Sequence, residues 1–424
     1  MTKTGWQNWS GSVHATPSRI AEPRNEAELA QIVTGTDRVR VTGAGHSFMP
    51  LCETDGTLIR LDRMEGELDI AADGATAWAP AGWSLARLTE RLWEAGYSFL
   101  NQGDVNPQSL AGAISTGTHG TGAALGSLST IARGFRLMLA DGSTITCDAD
   151  ENGEIFEAQR LSLGLLGIAL AIRIEIVPAY HLVEDIRAVR LAELTEQWDD
   201  LADEYRHVEF WVFPYSDMAI LKTLEPCDPC DPPEKQSDMA EKAFASYCKT
   251  VRRVPKLAAS LQRQIMKGVK PAERRGPAYR IFPSERNVRF EEIEHQLPRA
   301  NGFAALAEVI DWIRTNKLPV SFPFEFRLVA GDDIWMSPFN AGPCASISMH
   351  QYAEMPWREI FADAEPIFRE HGGRPHWAKR HTLRFDDLSA LYPKTEDFRA
   401  VCREVDPQGK FANAHLAALF RLGE

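Results

Sequence analysis

Hydrophobic and polar positions along the first 180 residues switch repeatedly between a period near 3.6 and a period of two, the spacings that helices and strands require. Leu29, Ile32 and Val33 share one helical face, and Asn25 with Glu28 three residues on resembles a capping box at its start. Val39 and Val41 alternate with Arg40 and Thr42 as a short strand that runs into the loop Gly43-Ala44-Gly45-His46-Ser47-Phe48. Ser84 caps a second helix, 85–95, which Gly96 ends. Asp141-Gly142 joins runs 135–139 and 143–147 as a hairpin. Ile168, Leu170, Ile172, Ile174 and Ile176 alternate with Ala169, Ala171, Arg173 and Glu175 in a long strand closed by Pro178. A domain boundary is expected near residue 180.

Beyond it, 183–191 and the aromatic run 210–213 read as strands, and 304–314 reads as a helix. The Pro-rich, partly basic stretch 225–275 shows no readable period. In 321–328, Phe322, Phe324, Phe326 and Leu328 occupy one face, so Glu325 and Arg327 stand together on the other. In 346–350, Ile347 and Met349 point inward, and Ser346, Ser348 and His350 point outward. Paired, these strands make a sheet with one apolar face and one functionalised face; a solvated surface carrying an ordinary Glu–Arg pair gives the same pattern.

Two glycine-rich segments stand out. The loop at 43–48 exposes several backbone N–H groups, a nest suited to phosphate or pyrophosphate, and sets the nucleophilic imidazole of His46 beside it. Residues 101–122 carry four glycines and several hydroxyls in their second half, so the backbone can approach a ligand closely. No strand with GxGxxG precedes that segment, so a nicotinamide site of the usual kind is unsupported, and a cofactor loop or an irregular loop bundle is left.

A chain of 424 residues is too long for one typical core, so two domains are expected. Its 44% hydrophobic and 25% charged residues are those of a soluble globular protein. The net charge of −13 argues against a nucleic-acid partner and against anionic membrane surfaces. The first residues lack a secretory pattern, and the longest apolar run, 161–172, is too short to span a bilayer, so a cytoplasmic protein is expected. Seven scattered cysteines read as free thiols. Cys227-Asp228-Pro229-Cys230 lacks a second CxxC and reads as a loop with two incidental thiols rather than a redox or zinc motif. His371, His376 and His381 recur every five residues, the wrong spacing for a helical metal pair, and no metal site is expected.

Taken together, Gly43-Ala44-Gly45-His46-Ser47 and 111–122 resemble the vanillyl-alcohol-oxidase-type flavoproteins. Within these the chain is similar to the aldonolactone oxidases and alditol oxidase. The resemblance extends through Asn8-Trp9, 162–168, Glu325-x-Arg327, His376-Trp377-Ala378-Lys379 and the ending Asp406-Pro407-x-Gly409-Lys410-Phe411-x-Asn413. It implies an α+β protein: a two-part FAD-binding domain at 1–180, and a substrate domain at 181–424 built on an antiparallel sheet with flanking helices. Residues from about 371 to the end are expected to return to the flavin.

The resemblance also implies roles. His46 matches the histidine that bonds the flavin covalently, and Thr42, Gly43, Ala44, Gly45, Ser47 and Phe48 match the loop around it. Ser109, Gly112, Thr116, Gly117, Thr118 and His119 match the second cofactor loop, with Ala169 at a further contact and Gly103 where oxidases carry a small residue that admits oxygen. Glu325, Arg327 and Lys379 match groups around the substrate. Asp104 and His350 replace the serine and threonine of alditol oxidase, so a different hydroxyl pattern is expected to bind; Asp104 also reads as a loop cap. The chemistry implied is oxidation of a CH–OH group of a polyhydroxylated substrate to C=O. O2 is reduced to hydrogen peroxide, Arg327 and Lys379 stabilise negative charge, and His350 is the best-tuned candidate for proton acceptor, with a carboxylate or water as the alternatives. A dehydrogenase that delivers electrons to a quinone or cytochrome, or an oxidase of a nucleoside-type primary alcohol, is the alternative.

Overall fold

The computed structural model describes residues 5–231, 239–284 and 286–423. The helix Glu26–Thr34 buries Leu29, Ile32 and Val33, and Asn25 accepts from the Glu28 N–H at 2.9 Å. The reciprocal bond reaches one residue further back than a capping box requires, because the Glu28 carboxylate accepts from the Arg24 N–H. This helix packs on a parallel sheet in the order Arg19–Ala21, Thr57–Ile59, Val39–Val41.

An antiparallel sheet follows, in the order Thr144–Cys147, Ala132–Met138, Ile168–Glu175, Thr76–Pro80, Asp69–Ile70. Gly142 turns the hairpin with φ of +81°, a conformation glycine adopts without steric penalty. Phe135, Leu137, Ile172 and Ile174 form its core with Leu85, Leu88 and Leu92 of the helix Leu85–Glu94. Residues 101–122 are not a loop bundle throughout: Ser109 caps a helix, Leu110–Thr116, whose Leu110, Ala113 and Ile114 are buried in the same core. The long strand ends at Glu175, and Pro178 lies in a two-residue ladder with Tyr97–Ser98 before the chain enters the next sheet.

That sheet has eight antiparallel strands in the order Ala272–Pro277, His181–Arg190, Met218–Cys227, His207–Val212, Phe324–Val329, Cys344–Tyr352, Phe290–Pro298, Arg374–Pro375. Helices Leu191–Glu204, Gly302–Thr315 and Arg358–Glu370 cover one face, against Phe210, Phe324, Phe326, Ile347 and Met349. The expected pairing of the Glu325 and His350 strands is present, with Glu325 opposite Ser348 and Arg327 opposite Ser346. Phe322 departs from expectation: it precedes the strand and joins a separate aromatic cluster with Phe48, Phe244 and Phe290.

The stretch without a readable period holds the end of the strand Met218–Cys227, helices Met239–Arg253 and Ala258–Gly268, and the strand Ala272–Pro277. The first strand escapes a period-two reading because Leu221, Lys222, Thr223 and Leu224 are all buried. Residues 232–238 of that stretch lie outside the described residues.

After the sheet, helices Thr395–Val405 and Ala414–Phe420 pack Phe398, Val401, Leu416 and Phe420 against Met49 and Leu161–Leu166 of the first part. Lys410 Nζ donates to the carbonyls of Val33 and Ala140 at 2.7 and 2.8 Å, and Asn413 donates to those of Pro50 and Glu53. No helix among the described residues is long and apolar enough to cross a membrane. All seven cysteines are free.

Candidate active site

The strand Val39–Val41 delivers the 43–48 loop against the start of the Leu110–Thr116 helix so closely that a Cβ on Gly43 would lie 2.5 Å from Ser109 Oγ. A cavity of about 1130 Å³ runs between these loops. Thr42, Gly43, Ala44, Gly45, His46, Ser47, Ser109, Gly112, Thr116 and Ala169 all line it. Phe48 and Gly117 do not. Phe48 belongs to the aromatic cluster, and Gly117 ends the helix in the left-handed region.

The walls fit a dinucleotide-sized anion. Arg40, fully buried on the cavity wall, donates to the carbonyls of Leu51, Gly164, Phe411 and Leu163, none of which neutralises its charge. Gln108 Oε1 and Gln159 Oε1 are buried on the same wall without a protein partner among the described residues. Buried polar atoms of this kind are normally satisfied, so they mark a place for a ligand's donors.

His46 lies where this cavity meets a second one of about 800 Å³, and it lines both. Its ring stacks on Trp9 at 5.3 Å, and Trp9 is tied back by a 2.8 Å bond from its N–H to the Gly45 carbonyl. Burial, and then the nearby Lys379 charge, lowers the imidazole to about 4. It is therefore neutral at physiological pH, with a ring nitrogen free to act as a nucleophile.

The second cavity opens onto the polar face of the eight-stranded sheet, where register arranges the side chains in rows. One row runs Gln296, Ser346, Arg327, Glu209, Lys222; the next runs Glu294, Ser348, Glu325, Trp211; Glu292 faces His350. Asp104 closes over the rows from the 101–122 segment. Arg327 donates to Glu209 at 2.9 Å and Glu325 at 2.6 Å, and lies 3.4 Å from Asp104. Lys222 Nζ is 2.9 Å from Glu209, 3.6 Å from Glu184 and 3.7 Å from Asp104. Arg286 donates to Asp104 at 2.8 Å, and Arg274 grips Glu184 through two nitrogens. Four cations thus face four carboxylates. Asp104 is a member of this network, not a loop cap.

Burial acts on every member, and the neighbours decide its charge. Burial opposes ionisation of Asp104, but Lys222, Arg327 and Arg286 overcome it and hold the carboxyl below the usual range. Glu325 goes the other way: burial raises it, Glu209 and Asp104 add to the rise, and Arg327 only partly offsets it. A proton is therefore more easily placed on Glu325 than on Asp104.

Lys379 approaches from the opposite side, from the turn after Arg374–Pro375. Its Nζ is 2.5 Å from Glu292, 3.8 Å from Glu294 and 5.3 Å from the Phe48 ring centroid. Burial opposes the charge of Glu292, yet Lys379 and then His350 pull its carboxyl down to about 2. His350 Nε2 is 3.3 Å from Glu292 and its Nδ1 3.3 Å from the Pro323 carbonyl. His119 is held in the same way, Nδ1 on the Gly120 carbonyl at 2.8 Å and Nε2 on Glu294 at 2.6 Å. A carbonyl only accepts, so each Nδ1 donates to it.

His119, Glu294 and His376 bring ligand atoms within 4.8 Å of one another. His119 and Glu294 of this group are joined by the 2.6 Å hydrogen bond. Thr118 and Gly103 also line this second cavity, so Gly103, Asp104, Thr118 and His119 stand on its wall and not on that of the first.

Glu209, Lys222, Arg286, Glu292, Glu294 and His376 were not foreseen. For Glu292 and Glu294 a signal exists: Ile293, His295 and Leu297 alternate with them in 290–298, as a strand requires. Arg286 reaches the site from an irregular segment and leaves no such trace.

The chain matches the model of the D-arabinono-1,4-lactone oxidase family over residues 172–419 and that of the FAD binding domain over 17–148. It is 35% identical to an L-gulono-1,4-lactone dehydrogenase of Mycobacterium tuberculosis, over 96% of this chain and 97% of the other. It is 31% identical to an L-gulonolactone oxidase of Scyliorhinus torazame, with 98% of each chain covered. Identity to an alditol oxidase of Streptomyces is 28%, over 98% of this chain and 99% of that one. The cholesterol oxidase of B. sterolicum superposes with a TM-score of 0.85 at 15% identity, covering 98% of this chain and 96% of that one, a likeness of fold alone. With a glycine-walled anion cavity opening through His46 onto a buried polar sheet face, the chain belongs to the D-arabinono-1,4-lactone oxidase family of FAD-dependent oxidoreductases acting on CH–OH groups.

Proposed function

We propose that the protein oxidises a CH–OH group of an aldonolactone, an alditol or a related polyhydroxylated compound to C=O, with O2 as acceptor and hydrogen peroxide as second product. The observation that carries this reading is the second cavity. It presents Glu325, Arg327, Asp104, His350 and Lys379 together, within reach of a cofactor cleft that it meets at His46 and Gln108. Bound FAD supplies the two-electron acceptor for the substrate hydride.

The chain's own residues do the rest. Carboxylates of Asp104 and Glu325 accept hydrogen bonds from substrate hydroxyls, and the guanidinium of Arg327 and the ammonium of Lys379 stabilise the oxygen as its proton leaves. Glu325 and His350 are the candidate proton acceptors. Glu325 is the group whose surroundings favour the protonated form. His350 sets its Nε2 3.3 Å from the Glu292 carboxylate, on the cavity wall. His46 is the proposed covalent tether, since its neutral imidazole stands at the mouth between the two cavities.

One observation favours a dehydrogenase as the second reading, the similarity to the M. tuberculosis enzyme. Gly103 does not separate the two: a Cβ there would meet the His119 carbonyl at 2.9 Å, so glycine has a packing reason at this position that is independent of oxygen access. A screen of lactones and alditols, read in parallel for peroxide in air and for anaerobic reduction of a dye or cytochrome, decides between them. Peroxide at the rate of turnover supports the oxidase. Turnover only with an added acceptor establishes the dehydrogenase, and no turnover of either sugar class removes the proposed substrate range.

A further inference from the structure

The helices Met239–Arg253 and Ala258–Gly268 form a hairpin whose charge is opposite to that of the rest of the molecule. Residues 239–271 hold eight lysines and arginines and one glutamate, a net charge of +7 in a chain of −13, leaving −20 on the remainder. Lys249, Arg253, Lys256, Arg263, Lys267 and Lys270 are all exposed. On the helices they recur with helical spacing, 249 and 253 on the first, 263 and 267 on the second, away from the buried residues Tyr247, Val251, Ala258 and Met266, and Lys270 follows just past the second helix. The joining turn reads Arg252-Arg253-Val254-Pro255-Lys256-Leu257, and there Val254 and Leu257 are 45% and 40% exposed between the cations. Arg252 is paired with Glu354.

We infer that this hairpin is a docking surface for an anionic lipid bilayer. Cations flanking exposed aliphatic side chains at a turn match the interface between headgroups and acyl chains, where the charges meet lipid phosphates and the apolar tips enter the layer. A soluble polyanion would use the cations but gives Val254 and Leu257 no partner. The charge segregation orients the molecule, because the −20 remainder is repelled from the same surface that attracts the hairpin. Docking also matters for the site: Phe244 of the first helix meets Phe322 at a centroid distance of 4.8 Å, and Phe322 lines the second cavity. The hairpin is thus both the back of an active-site wall and the part of the molecule that touches the bilayer.

The test is co-sedimentation of the FAD-loaded protein with vesicles of phosphatidylcholine alone or mixed with phosphatidylglycerol. Binding to the mixed vesicles at low salt, weakened about tenfold or more at about 0.5 M salt, is expected. The variant Arg253→Glu/Lys256→Glu/Lys267→Glu is expected to lose that binding about tenfold while keeping its melting temperature and turnover. Val254→Asp/Leu257→Asp is expected to lose it as well. Absence of binding to phosphatidylglycerol vesicles at low salt overturns the inference. So does binding that the triple variant retains, or capture by soluble polyglutamate that survives the Val254/Leu257 change, which would mark an acidic protein partner.

Discussion

Replacing Lys379 by methionine removes one charge from two places at once, and the structure lets the two costs be worked separately. The first is on stability. A carboxyl held at about 2 where it would otherwise titrate at 4.5 represents about 3 kcal/mol at neutral pH, and Lys379 is the leading attractor, ahead of His350. The lysine side chain is 21% exposed, so water screens part of this, and about 2 kcal/mol is the share expected to be lost. In a chain of this size that is a melting shift of about 2–5 °C.

The sign of its pH dependence follows. A carboxylate with a lowered folded value stabilises fully above its unfolded value near 4.5 and loses that contribution as pH falls through about 2. The gap in melting temperature between wild type and variant is therefore present at pH 7 and narrows below about pH 4.5. The second cost is on chemistry. Loss of a charged donor from a desolvated site lowers the rate by about 10² to 10³. Anaerobic stopped-flow reduction of the bound flavin, together with melting at pH 7 and 4, measures both. A variant that keeps its FAD and is reduced within about threefold of wild type refutes the catalytic role. A melting gap that stays constant into the acid range refutes the Glu292 pairing as its origin.

Other outcomes follow from the same geometry. Acid precipitation is expected to leave the flavin on the polypeptide in the wild type and to release it from His46→Ala; free FAD from the wild type removes the tether. Lys222→Met leaves Glu209 and Glu184 with one arginine each and Asp104 with two, so the cost is expected at the low end for a broken buried pair, about 3 kcal/mol by urea unfolding. An unchanged midpoint would show that the network is not desolvated. Gly43→Ala places a methyl group 2.5 Å from Ser109 Oγ, so the two cofactor loops must part; FAD content or stability is expected to fall by about 1–3 kcal/mol equivalent, and normal holoenzyme yield and melting would refute that close approach.

The parts of the fold written locally were legible. The Asn25 and Ser84 caps, the Asp141-Gly142 hairpin and the period-two strands at 168–175, 324–329 and 344–352 each need only neighbours in sequence to specify them. The reading failed where burial on both faces erased the period, as at Lys222 and Thr223, and where a polar strand carried its signal in glutamates, as at Glu292 and Glu294.

By itself, then, the sequence determined the glycine loops, the placement of His46 beside them, and the common outward face of Glu325 and Arg327, because backbone sterics and side-chain alternation act within a few residues. It also set the overall charge, but not its separation. Only the tertiary structure decided that Asp104, Glu209, Lys222, Arg286 and Arg327 share one desolvated network, that Glu292 and Glu294 bracket Lys379, and that the cationic hairpin stands apart from an acidic body. Those relations join residues from as far apart as 104 and 379. They arise from sheet register and strand order, and Coulomb interactions between such residues exist only once the chain has closed and excluded water between them.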